Sequence, residues 1–305
     1  MNPHRLRANI ILIIVAIIWG AAGPVIKFTL SGIDPLPFLI YRFAIASIFS
    51  IGFFAFKISK GKKFKRLRAN FSLAVIYGLL AAPLALGILF LALDKTTVLD
   101  MTLIGVFGPM LTITGSALFF HDHITKKEKF GIAIVLFGVI LNAFAPIFKS
   151  ASGLRFSGNL LLLLFLLADS GSVLIAKKCV RLKIKSANLT NLAFIIGFLT
   201  VIPLGLVKYG ATDLVSTITS LPLKYHLGVW YMALVSGTIA YFLFVKAQKT
   251  IEVSEAILFN YLQPLFTIPL AIFWLGEKIS SSFLVGGLFI AVGIIIAEYK
   301  KSAKI

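Results

Sequence analysis

Ten apolar stretches, each near the length a helix needs to cross a lipid bilayer, leave this chain few folds to adopt. The hydrocarbon core is ~30 Å thick and takes about 20 helical residues to span. Runs of that kind lie at 8–30, 36–56, 70–92, 97–120, 127–147, 156–177, 187–207, 225–247, 252–274 and 279–298. A hydrophobic share of 59 % with only 13 % charged residues, and a mean hydropathy of +1.00, fall outside the range of water-soluble domains. The expected fold is all-α and membrane-integral, with ten transmembrane helices. Seven residues precede the first run and no small-residue cleavage site follows it closely, so it is expected to remain as a helix rather than be removed as a signal peptide.

A net charge of +19 would suggest nucleic acid as the partner of a soluble chain, but here the bases sit in short loops between apolar runs. That arrangement fits loops facing anionic lipid, and no nucleic-acid partner is expected. Most of the 30 Lys and Arg residues fall in the N-terminus, the loops 57–69, 121–129, 177–186 and 246–251, and the tail. The opposite loops hold Lys95, Lys149, Arg155, Lys208, Lys224 and Lys278, while Lys27 and Arg42 lie within spans. The positive-inside rule then places both termini in the cytoplasm and the chain in the cytoplasmic membrane. Cys179 is the only cysteine, which rules out an intramolecular disulfide and a thiolate metal cluster. No cofactor or metal is expected.

The stretch from Ala247 to Ile295 has a degenerate counterpart 155 residues earlier. Without a gap, Ala92, Val98, Leu103, Pro109, Thr112, Ile113, Ile124, Gly131 and Gly138 fall on Ala247, Val253, Leu258, Pro264, Thr267, Ile268, Ile279, Gly286 and Gly293. Asp100 meets Glu255 and Asp122 meets Glu277, acid on acid. The pairing points to duplication, with one five-helix repeat over residues 1–150 and another over 151–305. Five is odd, so the second repeat enters the membrane in the opposite sense. Inverted repeats recur in secondary transporters, whose substrate sites lie near the midplane between the repeats. A central cavity is expected there.

The first span, AIIWGAAGPVIKFTLSGIDPLPFLIYRF, carries Trp19-Gly20, Lys27, Pro35 and Arg42-Phe43. With the two Pro-containing spans, LGEK at 275–278 and the glycine-rich last span, it resembles the EamA branch of the drug/metabolite transporter superfamily. The resemblance implies a ten-helix carrier of amino acids, nucleotide sugars, phosphorylated sugars or drugs, often an exporter. The halves depart from each other where Trp19-Gly20 meets Asp169-Ser170 and Arg42 meets Leu192 at an offset of 150. One asymmetric ligand would require such a difference.

Several residues inside the spans have chemistry suited to transport. Pro109 and Pro264 each leave the carbonyl four residues back, Gly105 and Asn260, without its helical donor, and Pro83 makes a similar break whose mate is Thr238, beside Gly237. Asn260, Tyr261 and Gln263 surround the second kink with groups suited to a polar ligand. Asp169 is an ionisable group near the middle of a span, where it must face a cavity or a partner. It is a candidate for binding a cationic group or taking up a proton, with Ser170 beside it, and the alternative is a structural bond to a lysine or hydroxyl. Trp19 either stacks on a ligand or fills the bundle centre. Arg42 either recognises a carboxylate or phosphate or bonds carbonyls between the repeats. Lys27 with Asp100, and their repeat mates Lys177 with Glu255, form two candidate ion pairs that close opposite ends of the path in turn, unless Lys177 merely snorkels. Gly131, Gly138, Gly286, Gly287 and Gly293 favour close packing of spans five and ten, with each other or across a homodimer.

Three functions compete. A carrier moves a small polar metabolite by alternating access, with proton coupling one option and an amino acid or related zwitterion, moving outward, the best-fitting cargo. An exchanger of organic anions and an exporter of drugs or cations are the nearest variants. A membrane-embedded enzyme would rest on His121, Asp122 and His123, whose repeat counterpart Gly276-Glu277-Lys278 carries no such chemistry; a polar surface turn explains them more simply. A non-transporting scaffold predicts a packed centre where a carrier predicts a hollow. No GxxxxGK[ST] motif is present, so no built-in ATPase is expected.

Overall fold

Lipid offers no hydrogen bonds, so a chain this apolar must satisfy its backbone within each segment, and helices do so. The computed structural model describes residues 3–121, 124–145, 154–247 and 259–298, and its regular elements are all helical. They are α1 (Pro3–Leu30), α2 (Pro35–Ser59), α3 (Phe71–Lys95), α4 (Val98–Phe120), α5 (Lys126–Phe144), α6 (Leu154–Arg181), α7 (Ser186–Tyr209), α8 (Leu223–Phe244), α9 (Phe259–Phe273) and α10 (Ser281–Glu298). Short helices over Lys65–Ala69 and Ala211–Thr219 join their neighbours.

Helix starts follow local chemistry. Pro35, whose missing N–H costs nothing in a first turn, opens α2. Thr125 and Glu128 form a reciprocal capping box on α5, with Thr125 N donating to Glu128 Oε2 at 2.6 Å and Glu128 N to Thr125 Oγ1 at 3.2 Å.

Among the described residues, seven helices, not ten, are both long and apolar enough to cross a membrane: α1, α2, α3, α4, α6, α7 and α8. The difference has local causes. Lys126, Lys127, Glu128 and Lys129 charge the first turn of α5, residues 248–258 lie outside the description, and α10 is a shorter apolar helix. Outward-facing side chains such as Val207 and Phe273, 89 % and 88 % exposed, suit a lipid surround and not water.

Packing interleaves the first half of the chain with the second. α1 lies against α8 and α9, while α6 lies against α3 and α4. α2 packs on α7 and α5 on α10. The last contact is backbone on backbone. A Cβ at Gly138 would fall 2.7 Å from Gly286 O, and one at Gly131 would fall 2.5 Å from Gly293 O. The expected glycine faces therefore meet each other within this chain.

Four of the helices are irregular, three of them near mid-length. α3 widens into a π-helix over Leu80–Leu86 around Pro83, and α8 does the same over Tyr231–Ile239 around Gly237. α4 breaks between Gly105 and Gly108, and Pro109 then opens its second piece. In α9 the described residues form a 3₁₀ turn over Phe259–Leu262 and then an α-helix from Gln263, with Pro264 in its first turn. Three of the breaks follow from the missing proline N–H. The α8 bulge forms without proline.

Gly138→Val should lower the thermal unfolding midpoint of the detergent-solubilised protein, since overpacking a tight contact costs about 1–3 kcal/mol. Gly52→Val is the control, because a Cβ there meets nothing within 4 Å. Equal midpoints for the two variants would contradict the close α5–α10 approach.

Candidate functional site

At mid-depth, α1 passes between the broken segments of α8 and α9. Pro24 lies inside α1 and leaves Gly20 O without a helical donor. Thr267 Oγ1, on α9, supplies the bond at 2.7 Å. A side chain at Gly20 could not be accommodated: its Cβ would lie 2.9 Å from both Gln263 O and Phe266 Cβ. Trp19, next along, donates from Nε1 to Ser236 O at 3.1 Å. That carbonyl belongs to the π-helix of α8, where the wider turn shifts carbonyls away from their usual donors. Tyr231, at the start of the same π-helix, donates its hydroxyl to Ile18 O at 2.6 Å.

On the other side, α6 meets the break in α4 in a similar way. Ser170 Oγ donates to Gly108 O at 3.4 Å, beside Pro109. Asn260 and Gln263 bond each other, Gln263 Nε2 donating to Asn260 Oδ1 at 3.1 Å, and with Tyr261 they are partly exposed at the α9 break.

A row of aromatic side chains connects these two regions. The Trp19 ring lies 5.1 Å from Phe244 and 6.3 Å from Tyr241, centroid to centroid. Tyr77, just ahead of the α3 π-helix, lies near Tyr241, Thr190 and Asp169. Asp169 is enclosed by protein yet keeps some accessible surface. Among the described residues, its carboxylate has no ion-pair partner. Trp19, Ser170 and Asp169 thus stand around the broken helices, with Tyr77, Tyr231, Ser236 and Tyr241 supplying polar atoms that sequence reasoning had not singled out. The signal for Ser236 was the Ser236-Gly237-Thr238 run opposite Pro83.

Arg42 is only 5 % exposed. Its guanidinium lies against the Phe43 and Phe90 rings, 5.8 and 5.5 Å from their centroids, and its Nη1 has no hydrogen-bond partner among the described residues.

The end of the bundle carrying the 31–34, 95–97 and 275–280 turns differs from expectation. Asp100 does not pair with Lys27. Arg155 grips it with two bonds, Nε to Oδ2 at 2.6 Å and Nη2 to Oδ1 at 2.9 Å, and Asn142 Nδ2 donates at 3.2 Å. A planar fork matches a carboxylate better than a point-like ammonium does. Lys27 Nζ donates instead to Leu93 O at 2.6 Å and Asp94 O at 3.3 Å, among the last carbonyls of α3, where a cation offsets the helix dipole.

Glu277 takes the position facing the next helix. Its Oε1 and Oε2 accept the N–H groups of Val98 and Leu99 at 2.7 and 2.9 Å, the first amides of α4. An acid reaching across 179 and 178 residues of chain thus closes this end.

At the opposite end, Lys177 Nζ donates to Ser116 Oγ at 2.6 Å and lies over the Phe120 ring. Its expected partner Glu255 lies outside the described residues. So do Asp122 and His123, while His121 occupies a left-handed turn at φ 58°. No metal-holding group of His, Cys, Asp or Glu occurs among the described residues.

The description "EamA-like transporter family" fits residues 6–144 and again 156–299. "Uncharacterized transporter YyaM" of Bacillus subtilis (strain 168) is 24 % identical over 306 residues, covering 96 % of this chain and 94 % of that protein. An "Uncharacterized transporter" of Archaeoglobus fulgidus is 22 % identical over 299 residues, covering 97 % and 98 %. A solved structure described as "Crystal structure of protein" is similar in fold, with a TM-score of 0.65 at 16 % identity over 96 % of this chain and 97 % of that one.

Arg155→Ala should destabilise the protein by about 3 kcal/mol or more, because it leaves the Asp100 carboxylate buried and unpaired. Lys27→Gln should cost about 1 kcal/mol, the worth of one hydrogen bond. Thermal unfolding in detergent reads both, and the reverse order would restore Lys27 as the partner of Asp100.

Proposed function

The chain belongs to the EamA-like transporter family, and from that premise we propose that it is a secondary carrier moving a small polar metabolite across the cytoplasmic membrane by alternating access. The observation that carries this reading is the convergence at mid-depth of Asp169, unpaired among the described residues, with Trp19, Tyr77 and Tyr241, next to irregular segments of α3, α4, α8 and α9. Backbone irregularity at membrane depth is tolerated where it lines a cavity or is buried in protein. Asp169 binds the cationic group of an amino acid or related zwitterion, or carries the coupling proton, and the ring faces hold the body of the substrate. The two halves, 1–150 and 151–305, act as inverted units with both termini in the cytoplasm, and export is the working direction.

In this reading the Glu277 clasp on α4 closes the end away from the cytoplasm, in place of a Lys27–Asp100 pair. Burial raises the Glu277 carboxyl above its ordinary range, against the two amide donors and Lys27, which act the other way, while Asp100 adds to the rise. Opening to water would return the carboxyl to its ordinary value. The clasped form therefore binds the proton more tightly, and a fall in pH through the raised value favours closure. With Cys179→Ser as background, maleimide labelling of a cysteine placed at Thr97, taken relative to free cysteine at the same pH so that the thiol's own ionisation cancels, should slow as pH drops through that range. Labelling that quickens would reverse the sign and remove Glu277 as the closing group.

Uptake into proteoliposomes of labelled amino acids, polyamines and sugar phosphates, with and without a pH gradient, tests the reading. An amino acid should be the substrate, and Asp169→Asn should cut its transport at least ~10-fold, the effect of losing about 1.4 kcal/mol. Unchanged transport at every pH would take Asp169 out of the mechanism. Preference for polyamines or sugar phosphates would shift the reading to the cation or anion variant.

A further inference from the structure

A hollow lies away from the aromatic row, at the clasp end. It has a volume of about 460 Å³ and is lined from both halves of the chain, within the ~300–1,000 Å³ usual for small-molecule pockets. Lys27, Lys95 and Arg155 border it, with Glu277 as the acid, and Phe28 and Trp274 form an apolar wall. Those two rings lie 5.0 Å apart, and Trp274 is 44 % exposed.

Donors outnumber acids at this hollow: three basic side chains border it and one carboxylate, Glu277. Each Glu277 oxygen is engaged by an amide of α4, Val98 or Leu99. Asp100, behind the wall, is held on both oxygens by Arg155. The bases keep donors to spare. Lys27 uses two of its three protons on carbonyls, Arg155 keeps Nη1, and Lys95 is exposed at the rim, with no hydrogen bond among the described residues. Ammonium and guanidinium groups cannot accept. A polar ligand entering this hollow therefore meets free donors beside an open ring face.

We propose that this vestibule is a binding site for a small organic oxyanion, a carboxylate or phosphate carried on an apolar body of about one ring. The oxyanion takes charge-assisted bonds from Lys95, Arg155 and Lys27, and the ring lies on Trp274. The site stands apart from Trp19 and Asp169, so it exists whether or not the central carrier reading holds. The same oxyanion chemistry is found on an anionic lipid headgroup, and we commit to the soluble anion.

Isothermal titration of sodium benzoate into the full chain in neutral detergent is the test, with benzylamine as the probe of opposite charge. Benzoate should bind and weaken with added NaCl, as exposed charge pairs do. Benzylamine should not bind. Lys95→Gln should weaken benzoate about tenfold, and Lys95→Arg should restore it. Lys95 is exposed, so these variants leave the packing intact. Failure of every transport assay leaves this binding result standing. Benzoate binding indifferent to Lys95→Gln, equal binding of benzylamine, or no binding would each overturn the proposal. Nanodiscs separate the two sources: benzoate bound equally in phosphatidylcholine and phosphatidylglycerol supports the soluble anion, and loss in phosphatidylglycerol assigns the vestibule to lipid and overturns it.

Discussion

Every carbonyl that a proline strips of its helical donor must find another donor when no water is at hand, and this requirement shapes the middle of the molecule. Pro24 frees Gly20 O, and Thr267 crosses from α9 to claim it. The wide turns of α8 offer Ser236 O, which Trp19 claims, and Gly108 O, just past the α4 break, takes a longer bond from Ser170. Each of these bonds joins a helix from one half of the chain to a helix from the other. Cohesion between the halves is thus directional at mid-depth, whereas apolar side chains packed in lipid give little preference for one neighbour over another.

The ends of the bundle obey a different rule. There the unsatisfied groups are helix termini, and charged side chains answer them: Lys27 the carbonyls closing α3, and Glu277 the amides opening α4. Asp100 belongs to neither class. Fully buried and held by Arg155, Asn142 and the α4 cap, it is a structural acid.

Much of the scaffold was legible in the sequence because it rests on period and length. Apolar runs gave the long helices, Pro83, Pro109 and Pro264 gave three of the breaks, and glycines at 131, 138, 286 and 293 gave the α5–α10 contact. Pairing of charges was less legible. Lys27 and Asp100 lie at similar depth, which made them look like partners, but depth says nothing about the direction in which a side chain leaves its helix. Arg155 seemed a loop residue because the start of α6 could not be set to within a few residues. Pro24 was readable and its consequence for Gly20 follows from a spacing of four. Tyr77 and Tyr241 carried no such mark, since a tyrosine in an apolar run gives no hint of which phenols will meet.

The seam of α5 and α10 has one more consequence. Gly131, Gly138, Gly286 and Gly293 are flush with a neighbouring backbone of their own chain, so these small-residue strips are already occupied. A second molecule approaching from the lipid would find no vacant glycine strip there to nest in. It would meet the outer rims of these helices, where Phe130, Leu284 and Ile295 project, and self-association on that side would have to rely on bulky greasy surface instead of close backbone fit.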